Sequence, residues 1–368
     1  VEAAFMEKVL VINPGATSTK IAIFSGTRRI FLKIIEHGLE DLARYEHVID
    51  QFGYRYNLLL SALADAAIAL SDFDAVVGRG GMLQPVESGT YEINRDMIED
   101  LKLASRGEHA SNLGALLADK VSGDYGIPSY IVDPVSVDEM DDVARVSGLS
   151  DLPRVSLSHA LNGKAIARKA ARHIGGRYES LNIIVAHLGT GVSISAHRNG
   201  RMVDVNNAQE EGPFSSDRCG TVPSYRLAKM CFSGRYSEQE ILNKLMGSGG
   251  LSSLLGMKDV RKIEELANSG NKDADLALRA LTYQIAKEIG ALSTVFNGKL
   301  DCIAITGGLA HSDRIVKDIV SRVEFLSRVL IFPGEDEMAS LALGVLRVLR
   351  GEEEPKKYKG TCKIEKPA

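Results

Sequence analysis

The feature that most constrains this chain is an opening pattern that occurs twice. Val9–Ile12 is an apolar run, Asn13–Thr19 is small or polar, and Ile21–Phe24 is apolar again. The same plan returns in Asn182–Ala186, His187–Gly191 and Val192–His197, with Gly15 and Gly189 standing 174 residues apart in a chain of 368. A third strand run follows each pair, Arg29–Ile35 and Met202–Val205, the latter after an Asn199-Gly200 hairpin signal. Strand, turn, strand, turn, strand at the head of each half predicts an α/β fold built from two similar domains. The length agrees, because a chain this long exceeds one ordinary core.

The turns carry the chemistry. Asn13-Pro14-Gly15-Ala16-Thr17-Ser18 and His187-Leu188-Gly189-Thr190-Gly191 offer backbone N–H groups and small hydroxyls without side-chain obstruction, as a phosphate requires. Neither is a Walker loop or a GxGxxG fingerprint, and each alone also reads as a plain hairpin. As a pair in duplicated halves they read as a clamp on one polyphosphate. Lys20 closes the first turn and begins the second strand. Three more apolar strands end in loaded turns: Phe73–Val77 at Gly78-Arg79-Gly80-Gly81, Ser129–Val132 at Asp133-Pro134, and Cys302–Ile305 at Thr306-Gly307-Gly308-Leu309-Ala310. Ligands gather at such strand ends in α/β sheets.

Each residue type also has an ordinary alternative. Arg79 in a glycine frame suits a carboxylate or phosphate through its planar fork, although a solvated arginine is the commoner case. Arg218 suits an anion equally but has Asp217 beside it as a simple partner. Asp133 before proline is either turn chemistry or a magnesium carboxylate. Glu335, Asp336 and Glu337 either stabilise the N-terminus of the helix Met338–Arg350 or include an acid for the metal site. His187 lies inside a glycine turn, which favours function; His159 opens a helix as a capping or core residue. His109 reads as structural.

Composition narrows the partners. With 44 basic and 48 acidic residues the formal charge is −4, giving no overall attraction to nucleic acid or anionic membrane. No apolar run reaches the ~20 residues of a membrane span, and no leader pattern is read before the first strand; Val1–Phe5, ahead of Met6, is set aside. Cys219, Cys231, Cys302 and Cys362 are scattered without metal or disulfide spacing, which fits a reducing, cytoplasmic setting. Acidic Asp138–Arg145 and turn-rich Ser147–Pro153 place a domain junction near residue 150. The expected domains are 6–150 with the returning helix 338–352, then 151–337, with 353–368 as an unstructured tail. The junction and the turn Pro333–Glu337 are the expected hinges.

The motifs INPGATSTK, VVGRGGM, VDPVSVDEM, SHALNGKAIARKAA, AHLGTGVSI, EGPFSSDRCGT, GSGGLSSLLGMKDVR, ITGGLA and FPGEDEMASLALG, in this order from Met6 to about residue 352, resemble the acetate/butyrate kinase family. The wording of GRGGM, SHALN and EGPFSSDR is similar to its butyrate branch. The resemblance implies duplicated ribonuclease H-like (actin-like ATPase) domains with an active-site cleft between them. The implied activity is ATP-dependent phosphorylation of a short-chain fatty acid, butyrate and ATP giving butyryl phosphate and ADP, with ATP/ADP and Mg²⁺ as cofactors. Isobutyrate, propionate and acetate are alternative acceptors. A sugar kinase or a non-catalytic actin-like ATP-binding protein is the more remote alternative, and a homodimer or higher homo-oligomer is the implied assembly.

Carried over by motif, Asn13 and Ser18 contact phosphate or metal-bound water, and His187, Gly189, Thr190 and Gly191 surround the β- and γ-phosphates. Asp259, Val260 and Arg261 with Gly307, Gly308, Leu309 and Ala310 line the adenosine site. Arg79 and Arg218 hold the acyl carboxylate and the phosphoryl group. Asp133, with Asn13 and Glu337 (or Asp336), governs Mg²⁺, and His159 matches a catalytic histidine.

Overall fold

The computed structural model describes residues 6–360. Val1–Phe5, Cys362 and the rest of 361–368 lie outside the described residues. The chain separates into two compact units, one running to Val137 and resuming at Asp336, the other spanning Asp138–Glu335. The strands are β1 (Lys8–Pro14), β2 (Ser18–Ser25), β3 (Arg28–Glu36), β4 (Ala75–Arg79), β5 (Thr90–Glu92), β6 (Ser129–Val132), β7 (Asn182–Leu188), β8 (Val192–Arg198), β9 (Arg201–Val205), β10 (Cys302–Gly307), β11 (Val329–Pro333) and β12 (Lys356–Lys357).

One plan is used twice. In the first unit the sheet order is β12-β5-β6-β4-β1-β2-β3, and in the second it is β11-β10-β7-β8-β9. Each has an antiparallel three-strand meander, β1-β2-β3 or β7-β8-β9, followed by two strands parallel to its first, β4 and β6 or β10 and β11. This is the ribonuclease H-like order, and the spacing of 174 holds for both ends of the first strand and the start of the second. Even the irregularity between the second and third strands recurs, at Ile23/Phe24 and Ala196/His197.

The strands form where β-branched and apolar residues run together, because β1 and β7 are central and covered on both faces. In the first unit Leu10, Ile12, Ile21 and Ile23 pack on the helices Phe52–Asp65 and Asn112–Tyr125 through Leu59, Leu63, Leu113 and Leu117. The helix Glu337–Leu349 packs against β1, β4 and β6. In the second unit the helix Lys272–Ser293 buries Leu278, Leu281, Ile285 and Ile289, a stripe at helical spacing. The helix Ala160–His173 packs on β7 and β10 through Ile166, Ala167 and Ala170.

Several expectations need correction. The division falls at Val137/Asp138 rather than near 150, because Ser136, Val137, Glu139 and Met140 are buried and no linker is present there. Residues 353–360 are not a loose tail: Lys356–Lys357 pair with β5, and Tyr358 is buried with its hydroxyl donating to Asp100 at 2.6 Å. Between β3 and the helix Phe52–Asp65 the chain forms the short helical turns Leu39–Leu42 and Val48–Gln51. The long first turn is also shorter than it reads, since β1 runs through Pro14 and β2 resumes at Ser18.

Candidate active site

In the first unit, backbone packing sets the position of Arg79. A Cβ on Gly78 would lie 2.0 Å from the carbonyl oxygen of Gly114, and one on Gly114 would lie 2.3 Å from that of Arg79. The end of β4 therefore rests directly on the first turn of Asn112–Tyr125, which only glycines permit. Arg79, 7% exposed, faces Glu337 with Nη1 to Oε1 at 3.0 Å. The contact is an ion pair without hydrogen-bond alignment, and Nη1 meets no aligned protein acceptor. Glu337 also accepts from Asn13 Nδ2 at 2.7 Å. Asn13, Arg79 and Glu337 are thus one cluster.

The three neighbouring acids have separate jobs. Asp336 caps its helix by accepting from the Ala339 N–H and pairs with Arg29 at 3.4 Å. Glu337 faces Asn13 and Arg79, so it is the acid of this cluster. Glu335, in the second unit, lies 3.6 Å from His187 Nε2.

Asp133 directly follows β6 and has φ +38, an unusual backbone for a non-glycine residue. It is buried, and its Oδ1 accepts from Ser88 Oγ at 2.6 Å and Gly89 N–H at 2.8 Å. Ser18 is half-buried at the start of β2, while Lys20 is exposed on that strand.

In the second unit, Asn13's counterpart is His187, the last-but-one residue of β7. The ring stacks on His159 with centroids 4.1 Å apart, and Asn162 Nδ2 donates to its Nδ1 at 2.6 Å. His159 is held in turn by Ser193 Oγ at 3.1 Å from its Nδ1. The turn is tight, Gly189 N–H reaching the Gly191 carbonyl at 3.2 Å, with Thr190 exposed at its tip. Arg218 closes on it: a Cβ on Gly191 would stand 2.4 Å from its Nη1.

The alternative pairing of Arg218 with Asp217 does not form. Asp217 pairs with Lys258 at 3.4 Å, and the Arg218 guanidinium bonds only the Ala208 carbonyl at 3.4 Å among the described residues. Burial lowers the pKa of Arg218, opposed by the charge of Asp217. The Arg218 loop is seated by Gly249 and Gly250; a Cβ on Gly250 would meet the Ser215 carbonyl oxygen at 2.0 Å.

The residues expected around adenosine are tied together. Asp259 caps the helix Val260–Asn268 and pairs with the exposed Arg261 at 3.0 Å, which holds its carboxyl below the usual range. Ser312 donates to Glu264 of that helix, joining it to the turn after β10. Gly307 has φ +92 and Gly308 is exposed with no atom within 4 Å of a Cβ, so the turn offers bare backbone. Leu309 and Ala310 anchor it in the core.

Three further residues stand beside the expected site residues. His109 stands within electrostatic reach of Arg79 and Glu337, its Nδ1 2.7 Å from Ser111 Oγ; burial and then Arg79 lower its pKa, which keeps it neutral at pH 7. Asn162 orients His187, and its motif SHALN was the available signal. Arg55 reaches the first phosphate turn from a helix whose local sequence gives no sign of it.

The donor set suits a hard cation. Glu337 and the Asn13 amide stand together and carry oxygen, the preference of magnesium, whereas the contacts of Asp133 are to Ser88 and Gly89. Among the described residues no group of three His, Cys, Asp or Glu side chains forms a metal cage. One or two carboxylates with water and phosphate complete the usual magnesium site of a nucleotide enzyme.

The family model described as the acetokinase family matches residues 157–331. Butyrate kinase 1 of Clostridium acetobutylicum is 47% identical over 355 residues, covering 96% of this chain and 100% of that protein. Acetate kinase of Porphyromonas gingivalis superposes with a TM-score of 0.78 at 22% identity, covering 93% of this chain and 100% of the other. A propionate kinase of Francisella tularensis subsp. tularensis gives 0.72 at 21% identity, with coverage of 92% and 99%. Those two structures establish the duplicated actin-like fold, and the Clostridium relative, alike along its whole length, establishes kinship: this chain belongs to the acetokinase family, the carboxylate-phosphorylating acetate and butyrate kinases.

Proposed function

We propose that the chain transfers the γ-phosphoryl group of ATP to a short-chain carboxylate, butyrate giving butyryl phosphate and ADP, and runs in reverse. The observation that carries this reading is the Arg218 guanidinium, packed against the glycine turn Gly189–Gly191 and engaged by no protein carboxylate among the described residues. A cation so placed awaits an anion. The whole-length likeness to a butyrate kinase supports the acyl class.

The chemistry needs positioning and charge cancellation rather than a general base. A fatty carboxylate, with a pKa near the ~4–5 of side-chain carboxyls, is already ionised at pH 7. Its oxygen forms the new P–O bond as the bond from γ-phosphorus to the bridging oxygen breaks, the electron pair leaving with ADP. Arg79 holds the acyl carboxylate, with neutral His109 beside it. Arg218 and His187 meet the phosphoryl group, and His159 supports His187 by stacking. Asn13, Ser18 and the Gly189–Gly191 turn with Thr190 contact the phosphates. Asp259, Val260, Arg261 and Gly307–Ala310 line the adenosine site. Mg²⁺, carried on the nucleotide, would be held by Asp133 and Glu337 with Asn13, neutralising phosphate charge.

Arg218→Ala lowers kcat by roughly 10³-fold or more, as for transition-state arginines in phosphoryl transfer. A hydroxamate-coupled assay with ATP, Mg²⁺ and C2 to C5 acids tests the whole reading. Acyl hydroxamate forms from butyrate and its near homologues, because a methylene changes pocket affinity by only about 1–3 kcal/mol. ATP consumption with hexoses and none with acids would replace this reading by a sugar kinase. A homo-oligomer in the cytoplasm completes the proposal. The helices Ser224–Cys231 and Glu238–Leu245 leave Tyr225, Leu242 and, just beyond them, Phe232 and Met246 exposed, as a subunit contact requires. No helix among the described residues is long and apolar enough to cross a membrane.

A further inference from the structure

A turn that binds an anion must keep its own carbonyl oxygens away from it. The first turn does so completely. Arg55 Nη1 donates to the Gly15 carbonyl at 2.9 Å, to Ser18 at 3.3 Å and to Thr19 Oγ1 at 3.1 Å; Nη2 donates to Ala16 at 3.2 Å. The remaining carbonyl, Thr17, accepts from the His37 N–H at 2.8 Å. On the outer side Ala16 and Thr17 are exposed, and among the described residues their N–H groups meet no protein acceptor.

The guanidinium itself is fixed. Gln51, four residues earlier on the same helical face, accepts from Nε at 3.1 Å and Nη2 at 2.8 Å. Arg55 is 1% exposed, yet every one of these partners is neutral. No carboxylate pairs with it among the described residues, and burial lowers its proton affinity, with Tyr54 and His37 in electrostatic reach. If holding the turn were its whole task, an amide would serve without the cost of a buried, uncompensated charge.

We propose that Arg55 is a positioning residue for phosphoryl transfer: it turns the carbonyls of Gly15, Ala16 and Ser18 inward so that the turn presents N–H groups, and the nucleotide polyphosphate supplies the negative charge the protein withholds from it. The inference rests on the ATP reading above and deepens it.

The test compares ATP with AMP, which lacks the β- and γ-phosphates, by calorimetric titration of the full chain. In Arg55→Gln, ATP binding weakens about tenfold, as loss of a charged hydrogen-bond donor implies, while AMP binding stays within about twofold. Arg55→Lys keeps the charge but not the fork and recovers part of the loss; kcat follows the same order, and KM for the acid is unchanged. Equal weakening of ATP and AMP, or no change in either, overturns the proposal. Should Arg55→Gln not fold, as judged by urea unfolding, Gln51→Leu loosens the fork while leaving the charge in place. A several-fold loss for ATP alone is then expected, and an unchanged ATP affinity overturns it. Wild-type protein that binds ATP but phosphorylates no acid would defeat the acyl reading and leave this one standing.

Discussion

A ring nitrogen that accepts a hydrogen bond cannot carry a proton, and Asn162 applies this rule to His187. Its amide donates to Nδ1 at 2.6 Å, so the proton of the neutral ring lies on Nε2, the atom facing Glu335 and the glycine turn. In the proposed reaction that nitrogen is the donor offered to a phosphate oxygen. Asn162→Leu keeps the volume and releases the tautomer, and kcat falls by about 10–100-fold, as for other residues that orient a working histidine. Asn162→Asp accepts at Nδ1 instead and favours the imidazolium, so its pH–rate profile departs from that of wild type. Superimposable profiles would show that Asn162 only fills space.

His37 gives a second residue-scale prediction. Its Nε2 lies 2.8 Å from Thr19 Oγ1, its Nδ1 is buried with no hydrogen-bond partner among the described residues, and burial followed by Arg55 lowers its pKa to about 4. The unfolded chain binds this proton near pH 6.5, the folded one only near 4, so stability is full above 6.5 and is lost as pH falls between them. The slope is about 1.4 kcal/mol per pH unit. Urea unfolding at pH 7.5 and pH 5 shows a smaller acid loss for His37→Gln than for wild type; identical losses would remove His37 from the account. Legibility follows from position: Arg79, Asp133 and His187 stand at or beside strand ends, where the sequence marks them as candidates, and Arg218 lies in a loop where Asp217 offered an ordinary partner. Arg55, His109 and Asn162 sit on or beside ordinary helical sequence, and only tertiary contact gives them a task.

At the scale of elements, the apolar runs at Val9–Ile12, Asn182–Ala186 and Cys302–Ile305 were readable as strands because central strands are covered on both faces. Short β5 and β12 were not, since each owes its form to the neighbour it pairs with. Glycines were readable as turns but not as contacts. Gly307 and Gly308 separate the two roles. A Cβ on Gly307, at φ +92, would lie 2.5 Å from the Leu188 carbonyl oxygen, whereas one on Gly308 meets nothing within 4 Å. Gly307→Ala therefore costs about 2–4 kcal/mol from backbone strain plus overpacking. Gly308→Ala changes stability by less than about 0.5 kcal/mol, as surface substitutions do, and weakens ATP if the base lies over that turn. Denaturant midpoints and ATP titration of the two variants decide; equal destabilisation would mean that β10 does not need its approach to β7.

At the scale of the molecule, the duplication was legible because the first two strands of each unit keep one spacing, while the later strands lose it to insertions. The boundary was not. Exposed Val143, Val146, Leu149 and Leu152 in a turn-rich run look like a junction, yet the chain crosses between units at buried Val137 and half-buried Asp138. The consequence is an asymmetry in folding. Residues 138–335 contain all five strands of their sheet and the helices on both its faces, so this fragment folds alone. Residues 6–137 lack Glu337–Leu349, whose Met338, Leu341, Val345 and Leu346 are buried, as well as Tyr358. At about 1.5–3 kcal/mol per large apolar side chain, these four alone contribute roughly 6–12 kcal/mol, comparable to the whole stability of a domain, about 5–15 kcal/mol. The fragment 6–137 is therefore unfolded or molten, and supplying 336–360 through a long flexible linker restores a cooperative transition. Circular dichroism melts of the three fragments check this. A cooperative melt for 6–137 alone would show that the returning helix decorates the first unit rather than completes it.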